Sequence, residues 1–296
     1  MKELVVISGK GGTGKTSVVA SFAALAENKV LADCDVDAAD LHLVLSPKIV
    51  RREEFSGSKK ASILADKCIG CGKCASMCRF DAISFDGPPN DVVGKTYQID
   101  TIACEGCGVC VYVCPVKAVN FFPSINGEWF VSETRHGPMV HAKLGLAEEN
   151  SGKLVTIIRR EAKRIAEENG LELIIIDGPP GIGCPVIAST TGASLVLIVT
   201  EPTLSGLHDM DRVADLAAYF KIPTVVCINK SDLNPEMTAV IRERCIERNT
   251  SFLGEIRYDE AVTRAQIVCK SVVEYDNGPA SSDIKSLWNA VKHKLE

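Results

Sequence analysis

The sequence predicts an α/β fold: a doubly wound, mostly parallel sheet that is interrupted by a small inserted α+β domain. Two observations predict this fold. Apolar runs of strand length recur along the chain and alternate with stretches of helical spacing, as in a parallel sheet covered by helices. Between residues 46 and 128 this alternation stops, and eight of the 13 cysteines lie there in two regular runs. We expect that region to form a separate unit.

Composition limits the classes of function. The chain has 296 residues, of which 46% are hydrophobic and 24% are charged, as in an ordinary globular protein. Its net charge of −5 argues against nucleic acid as a partner. No apolar run approaches the ~20 residues of a membrane span, so we expect a cytoplasmic protein. In a reducing compartment, regularly spaced cysteines indicate metal ligation and not disulfides.

A glycine-rich loop, residues 8–17, joins the first predicted strand (4–7) to the first predicted helix (17–26). It fits G-x-x-x-x-G-K-[ST], the pattern of phosphate-binding loops. We expect Lys15 to pair with the terminal phosphates and the Thr16 hydroxyl to bind Mg²⁺. The loop also offers backbone N–H groups to phosphate at a helix N-terminus. The residues assigned to the nucleotide here are Gly11, Gly12, Thr13, Gly14, Lys15, Thr16 and Ser17.

Lys10 adds a second lysine directly after the first glycine of the loop. The resulting pattern, K-G-G-x-G-K-[ST], resembles the deviant phosphate-loop (SIMIBI) ATPases of the MinD/ParA class. The resemblance implies an ATP-bound dimer, formed with an identical chain or with a related ATPase. It also implies that Lys10 of one subunit reaches the phosphates held by the other, where it acts as an arginine finger does.

Acidic residues follow the second predicted strand (29–32), at the edge where α/β sheets bind ligands. Asp33 and Asp35 are two residues apart, so they share one face of an extended chain. The MinD/ParA resemblance implies that Asp35 orients the attacking water and that Asp33 supports the Mg²⁺ shell. We interpret Asp37 and Asp40 as solvated loop residues.

Asp177 ends a third apolar run (171–176) and begins the sequence Asp-Gly-Pro-Pro-Gly. A carboxylate in this position is typical of the second metal-shell group of phosphate-loop enzymes. The motif again resembles the MinD/ParA class, in which it forms the movable switch II. Cys184 follows it, and two interpretations stay open: a thiol that faces a partner subunit, or a buried structural thiol.

Two further strands (195–199 and 224–228) and a last strand and loop (254–259) complete the predicted sheet. Asn229 begins a stretch that resembles the base-reading N-K-x-D element, and we expect it to hydrogen-bond adenine of ATP. The final helix (283–295) carries one apolar face. We expect that face to pack on the sheet and not on a membrane.

The two cysteine runs have the spacing C-x₂-C-x₂-C-x₃-C and resemble bacterial ferredoxins that hold two [4Fe–4S] clusters. Their flanks repeat as well, at residues 80–85 and 116–121. A zinc site would need only four ligands in all. The resemblance implies that the fourth cysteine of each run crosses to the other cluster. Cluster 1 then takes Cys68, Cys71, Cys74 and Cys114, and cluster 2 takes Cys104, Cys107, Cys110 and Cys78.

The predicted domains are 1–58 and 124–296 for the nucleotide-binding part and 59–123 for the ferredoxin-like insert. Residues 51–60 have the composition of a linker, and residues 86–99 that of a hairpin excursion between the two runs. The first run departs from the ferredoxin pattern at Arg79, where the second run has a proline. Arg79 either stabilises a reduced cluster or lies free on the surface.

The whole chain therefore resembles a MinD-type ATPase with an inserted ferredoxin domain. Our preferred hypothesis is a redox ATPase, in which ATP binding and hydrolysis change a dimer and the clusters pass low-potential electrons to a partner protein. One alternative is a carrier or assembly ATPase for iron–sulfur clusters, although no C-x-x-C occurs after Cys114. Another is a MinD-like positioning ATPase whose clusters are structural or sensory.

Overall fold

The computed structural model describes residues 1–145 and 151–296, which form two compact units. The first unit contains residues 1–53, 128–145 and 151–296. The second contains Glu54–Gly127, a few residues more at each end than the predicted insert of 59–123. Among the described residues, no helix is both long enough and apolar enough to cross a membrane.

Strands and helices alternate through the first unit, and short elements fill the second. The strands are β1 Lys2–Ser8, β2 Lys29–Asp33, β3 Lys48–Phe55, β4 Ser58–Ile63, β5 Ile83–Gly87, β6 Thr96–Ile99, β7 Val119–Ser124, β8 Gly127–Thr134, β9 Gly137–Leu144, β10 Leu173–Pro180, β11 Leu195–Thr200, β12 Thr224–Asn229 and β13 Ser251–Ile256. The helices are α1 Lys15–Leu25, α2 Leu41–Leu45, α3 Lys73–Met77, α4 Val109–Val113, α5 Ser151–Asn169, α6 Cys184–Thr190, α7 Leu204–Tyr219, α8 Pro235–Glu247, α9 Ala261–Ile267, α10 Val272–Tyr275 and α11 Pro279–Leu295.

The first unit is built on one large sheet with the order β13-β12-β11-β1-β10-β2-β9-β8-β3. Strand β1 pairs in parallel with β10 on one side and with β11 on the other, and β2 pairs in parallel with β10. Chain order therefore reverses at β1. Ligands bind beyond the carboxyl ends of parallel strands at such a reversal, and the glycine-rich loop follows β1 there.

Apolar side chains between the sheet and its helices form the core of the first unit. Phe22 of α1 is fully buried, and its ring packs in a tilted arrangement against that of Trp288 of α11, with the ring centroids 4.9 Å apart. The predicted apolar face of α11 lies in this core, so the expectation that it packs on the sheet is confirmed. Its buried residues include Ile284, Leu287, Trp288, Val291 and Leu295.

Two sequence predictions about local structure are wrong. The charged stretch 51–60, predicted as a linker, is instead the end of β3 and the beginning of β4. Its charges are tolerated because β3 is an edge strand, whose side chains remain largely exposed to water. The strand before switch II also continues through Asp177 to Pro180, because its pairing with β1 resumes at Ser8 and Pro180 after a register shift beyond Val6 and Asp177.

The second unit is a small repeat of two halves. Strand β4 pairs antiparallel with β7, and β5 pairs antiparallel with β6. The predicted excursion at 86–99 is therefore the loop and second strand of a hairpin. Short helices α3 and α4 each begin after a glycine with positive φ, Gly72 (73°) and Gly108 (74°). The repeat that the sequence shows is thus also present in the backbone.

Candidate functional site

A pocket of about 520 Å³ lies over the glycine-rich loop of the first unit. Gly14 precedes α1 with a φ of 87°, a left-handed conformation that favours glycine. A Cβ at this position would lie 2.2 Å from the side-chain nitrogen of Asn229, so any other residue here must displace that side chain. All seven loop residues that the sequence assigned to the nucleotide line this pocket: Gly11, Gly12, Thr13, Gly14, Lys15, Thr16 and Ser17.

Lys15 lies between two carboxylates at the floor of the pocket. Its Nζ is 2.6 Å from Asp177 Oδ1 and 3.2 Å from Asp35 Oδ2. Burial alone would lower the pKa of Lys15, but Asp177 and Asp35 together raise it above the ordinary value. The lysine is therefore fully charged at neutral pH, as a group that binds phosphate must be.

Asp33 stands beside this pair and is fully buried. Burial, together with the charge of Asp177, raises its pKa well above the ordinary value. Among the residues that the structure describes, one oxygen of each of these two carboxylates, Asp33 Oδ2 and Asp177 Oδ2, is buried without a hydrogen-bond partner. Unpartnered buried carboxylate oxygens are costly, and they are the ligands that Mg²⁺ prefers. The residues present therefore fit a magnesium ion.

The side chain of Lys10 contacts its own chain. Its Nζ is 3.1 Å from Ser205 Oγ and 3.4 Å from Glu201 Oε2. The other oxygen of Glu201 accepts from Lys230 Nζ at 2.5 Å. Glu201 thus holds two lysines next to the phosphate loop. Glu201 has no role among the residues predicted from the sequence, although an acidic residue two positions after a predicted strand is a detectable signal.

Asn229 lines the pocket and joins two loops. Its Nδ2 donates to the carbonyl of Thr13 at 2.7 Å, and its Oδ1 accepts from the Lys230 backbone at 3.0 Å. The side chain therefore holds the phosphate loop in place. Asp232, at the acidic position of the same element, accepts the backbone N–H of Tyr258 at 2.7 Å.

The acidic residues after β2 and the cysteine after switch II differ in exposure. Asp35 is buried, whereas Asp37 and Asp40 are exposed, as expected for solvated loop acids. Cys184 is the first residue of α6 and is exposed, which overturns its interpretation as a buried structural thiol.

The eight regularly spaced cysteines of the second unit surround two separate small cavities. Three cysteines of one run and the fourth of the other line each cavity, which is the crossed arrangement implied by the ferredoxin resemblance. The first cavity is lined by Cys68, Cys71, Cys74 and Cys114, and the second by Cys104, Cys107, Cys110 and Cys78.

The cysteine cavities suit clusters better than single ions. In the described part of the chain, no three His, Cys, Asp or Glu side chains converge as ligands of one metal ion would. The carboxylates of the first unit do not converge in this way because the ammonium of Lys15 lies between them. A cubic iron–sulfur cluster binds thiolates through four separate iron atoms, so its cysteines stand farther apart than zinc ligands.

Burial raises the pKa of the Cys74 and Cys110 thiols. The positive charge of bound metal offsets this cost, because a coordinating thiol is deprotonated outright. The backbone N–H of Ala118 donates to Cys114 Sγ at 3.2 Å, a bond that stabilises the thiolate form. The cysteines and their surroundings therefore fit two clusters.

Comparison with known proteins agrees with both halves of this description. Residues 67–118 match the family model described as a 4Fe-4S dicluster domain. The chain is similar to the structure of the septum site-determining protein MinD complexed with Mg-ADP from Pyrococcus horikoshii, with 16% identity, a TM-score of 0.56 and coverage of 98% and 95%. It is also similar to a ParA family ATPase from Chlorobium tepidum, with 17% identity, a TM-score of 0.53 and coverage of 98% of each chain.

Fold and site together define a phosphate-loop protein of the MinD/ParA fold with an inserted 4Fe–4S dicluster domain. Within this class, the chain belongs to the same family as the uncharacterized protein MJ0578 of Methanocaldococcus jannaschii. The two are 34% identical over 98% of this chain and 96% of that protein. A second protein of that organism, MJ0579, is 28% identical over 94% of each chain.

Proposed function

We propose that this chain binds and hydrolyses ATP with Mg²⁺ and couples the resulting change in a dimer to low-potential electron transfer. One observation carries the proposal. The same chain holds a charged lysine between two carboxylates at a phosphate loop and two cavities that are each lined by four cysteines. A nucleotide site supplies free energy, and a pair of clusters supplies one-electron chemistry.

The residues at the loop have separate roles in this proposal. Lys15 leaves its carboxylates to pair with the terminal phosphates of ATP. The Thr16 hydroxyl, Asp33 and Asp177 hold Mg²⁺, which satisfies the unpartnered oxygens of the two aspartates. Asp35 then orients the attacking water, since its carboxylate lies beside Lys15 and is released when the lysine moves.

ATP is favoured over GTP by the remaining contacts of the pocket. In a guanine-reading element the acidic side chain faces the base, but Asp232 already accepts from the Tyr258 backbone. Tyr258 and Ile256 also line the pocket, and the exposed Tyr258 offers an aromatic ring to a base. Asn229 also lines the pocket, and we assign it the contact with adenine in this proposal.

Lys10 serves a second subunit in this proposal. To reach the phosphates of a partner it must leave Glu201 and Ser205, which costs only a half-exposed ion pair and one hydrogen bond. The second subunit is an identical chain or a related ATPase. The presence of two relatives in one organism supports the related pair as an alternative to a homodimer.

In the second unit, the two groups of four cysteines hold the two [4Fe–4S] clusters, which exchange single electrons when bound. Cys71 and Cys107 are exposed, so each cluster has an edge near the surface from which a redox partner protein can be reached. The insert follows the acidic loop after β2 by only a short length of chain. That covalent connection is the route proposed for coupling.

The test is a redox titration followed by EPR, carried out without nucleotide, with ADP and with a non-hydrolysable ATP analogue. Coupling is reciprocal, so the cluster redox state must change nucleotide affinity by the same factor by which nucleotide changes the reduction equilibrium. A tenfold effect corresponds to ~59 mV for a one-electron couple. Shifts of tens of millivolts are expected.

Lys15→Met is the matched control, because it retains the clusters and loses the phosphate contact, so its potentials must not respond to nucleotide. Identical potentials in all three states of the wild-type protein, together with equal nucleotide affinities for oxidised and reduced protein, would contradict the redox ATPase.

A further inference from the structure

The two cluster-binding loops of the second unit are built alike. Gly70 and Gly106, which follow the first cysteine of each run by two residues, have φ angles of 65° and 63°. The glycines before α3 and α4 agree as closely, at 73° and 74°. A difference between the two sites therefore comes from the side chains that pack on the loops and not from the loops themselves.

The carbonyl of the first cysteine in each run is such a point of difference. In the first run, Cys68 O accepts from Asn90 Nδ2 at 2.8 Å. In the second run, Cys104 O accepts from Lys60 Nζ, also at 2.8 Å. Two equivalent atoms of the repeat thus receive a neutral amide in one half and an ammonium ion in the other.

Lys60 is held in place and is partly shielded from water. It lies on β4, opposite Phe122 of β7, and its side chain is half-buried. The same strand packs directly on the second loop, since a Cβ on Gly106 would lie 1.9 Å from the Lys59 carbonyl. Within residues 1–145 and 151–296, the Lys60 ammonium has no carboxylate partner to offset its charge.

Other charged residues near the loops act more weakly. Lys73 and Glu105 line the two cavities, and Arg79 follows Cys78, but all three are exposed. A charge in water has about one quarter of the effect of the same charge at the effective dielectric constant of a protein surface pocket. Solvent ions screen it further.

One neutral group opposes Lys60. Tyr97 lines the first cavity with its hydroxyl close to Gly72, where a phenol would stabilise negative charge on the first cluster. Hydrogen bonds from charged donors are roughly twice as strong as those from neutral ones. The ammonium at Cys104 therefore outweighs the phenol at Gly72.

We propose that Lys60 raises the reduction potential of cluster 2 above that of cluster 1, so that the first electron to enter the chain resides on cluster 2. A low-potential one-electron donor supplies this electron, which takes the cluster from the 2+ to the 1+ state. No bond forms or breaks, and no proton moves. Lys60 acts through the Cys104 carbonyl, as a positioning residue that tunes the potential of the cluster.

The test compares Lys60→Gln with Lys60→Arg in anaerobic holoprotein without nucleotide. The glutamine retains an amide donor like Asn90 and removes the charge, whereas the arginine retains the charge. Dithionite with redox mediators reduces the protein, and EPR follows each cluster. Cys107→Ser, which alters a ligand of cluster 2 alone, assigns the EPR signals.

We expect two one-electron waves in the wild-type protein, the higher of them from cluster 2. Lys60→Gln lowers the reduction potential of cluster 2 by ~59 mV, which means that the ratio of reduced to oxidised cluster 2 falls about tenfold at a fixed potential. The wave of cluster 1 stays in place. Lys60→Arg retains the wild-type order. Lys59→Met, which removes the exposed neighbouring lysine, leaves both waves unchanged.

Three results would overturn the inference: unchanged potentials in Lys60→Gln, equal shifts of both clusters, or a higher potential for cluster 1 in the wild-type protein. If Lys60→Gln fails to retain its iron, Lys60→Met provides the same loss of charge. The inference rests on the two clusters of the proposed function but not on ATP. An absent response to nucleotide would contradict the coupling and leave the Lys60 result standing.

Discussion

Replacement of Lys15 by methionine tests the arrangement at the phosphate loop through stability, without any nucleotide. Methionine fills much of the same space but removes the ammonium that lies 2.6 Å from Asp177 and 3.2 Å from Asp35. The side chain of Lys15 is only 6% exposed, and that of Asp177 only 1%. The variant therefore leaves buried carboxylates, Asp33 included, without their cation.

The expected loss is large. Removal of one partner of a buried ion pair costs ~3–5 kcal/mol, because the remaining charge stays buried without compensation. The total stability of a domain is only about 5–15 kcal/mol. Lys230→Met is the matched control, because Lys230 contacts Glu201 at a half-exposed site. We expect it to cost about 1 kcal/mol or less.

The assay is urea unfolding followed by tryptophan emission at pH 5 and pH 8. Both tryptophans of the chain, Trp129 and Trp288, belong to the first unit, so the signal does not report on the second. Burial already raises the pKa of Asp33 in the folded protein. Without the ammonium it rises further, so the folded state binds protons more tightly than the unfolded chain.

The free energy of unfolding of the variant therefore falls as the pH rises above about 3.9, the pKa of an aspartate in the unfolded chain. The stability that Lys15→Met loses relative to the wild-type protein must be larger at pH 8 than at pH 5. Added Mg²⁺ should restore part of the loss, because it binds only the folded carboxylates. A variant that unfolds within 1 kcal/mol of the wild-type protein at pH 8, or whose deficit shrinks with rising pH, would refute this reasoning.

Further predictions concern turnover, metal content and backbone strain. Lys10→Ala should retain ATP binding and lose ATP-dependent dimerisation or turnover, and an unchanged rate of hydrolysis would exclude a role in trans. Asp35→Asn should bind ATP and stall before hydrolysis, as single-turnover measurements would show; full activity would move the role to Asp37 or Asp40. Anaerobic protein should contain about eight iron and eight acid-labile sulfide per chain, and stoichiometric zinc without iron would contradict the clusters. Gly14→Ala should weaken nucleotide binding in calorimetry, because the new Cβ displaces Asn229 from the loop; undiminished affinity would mean that the loop tolerates that shift.

Short-range patterns were sufficient for much of the molecule. The strand before the phosphate loop, the loop itself and α1 are contiguous in sequence, so their geometry follows from local residue types. The cysteine runs are equally local, because C-x₂-C-x₂-C places three thiolates around one point whatever surrounds them. Only a family resemblance predicted which run the fourth cysteine of each motif joins. In the tertiary structure, Cys114 lines the cavity of the first run and Cys78 lines the cavity of the second.

The edges of the sheet were harder to predict. The part of strand β3 from residue 51 onward was predicted as a linker because its composition is charged, and only the pairing of β3 beside β8 makes it a strand. An edge strand buries one side at most, so it lacks the apolar run by which a buried strand is recognised. The predicted end of the strand at Ile176 failed for a related reason, since pairing with β1 resumes after a register shift and so extends β10 through two prolines.

By itself, the sequence determined the α/β class, the phosphate loop and the two cysteine runs, because each depends on residues close together in the chain. Only the tertiary structure decided which distant side chains meet. It brought Glu201 to Lys10, Asn229 to the carbonyl of Thr13, and Lys60 to the carbonyl of Cys104. Each of these contacts joins residues far apart in sequence, and their distances depend on strand register and loop packing. No local pattern encodes that register, because it is set by the packing of the whole unit.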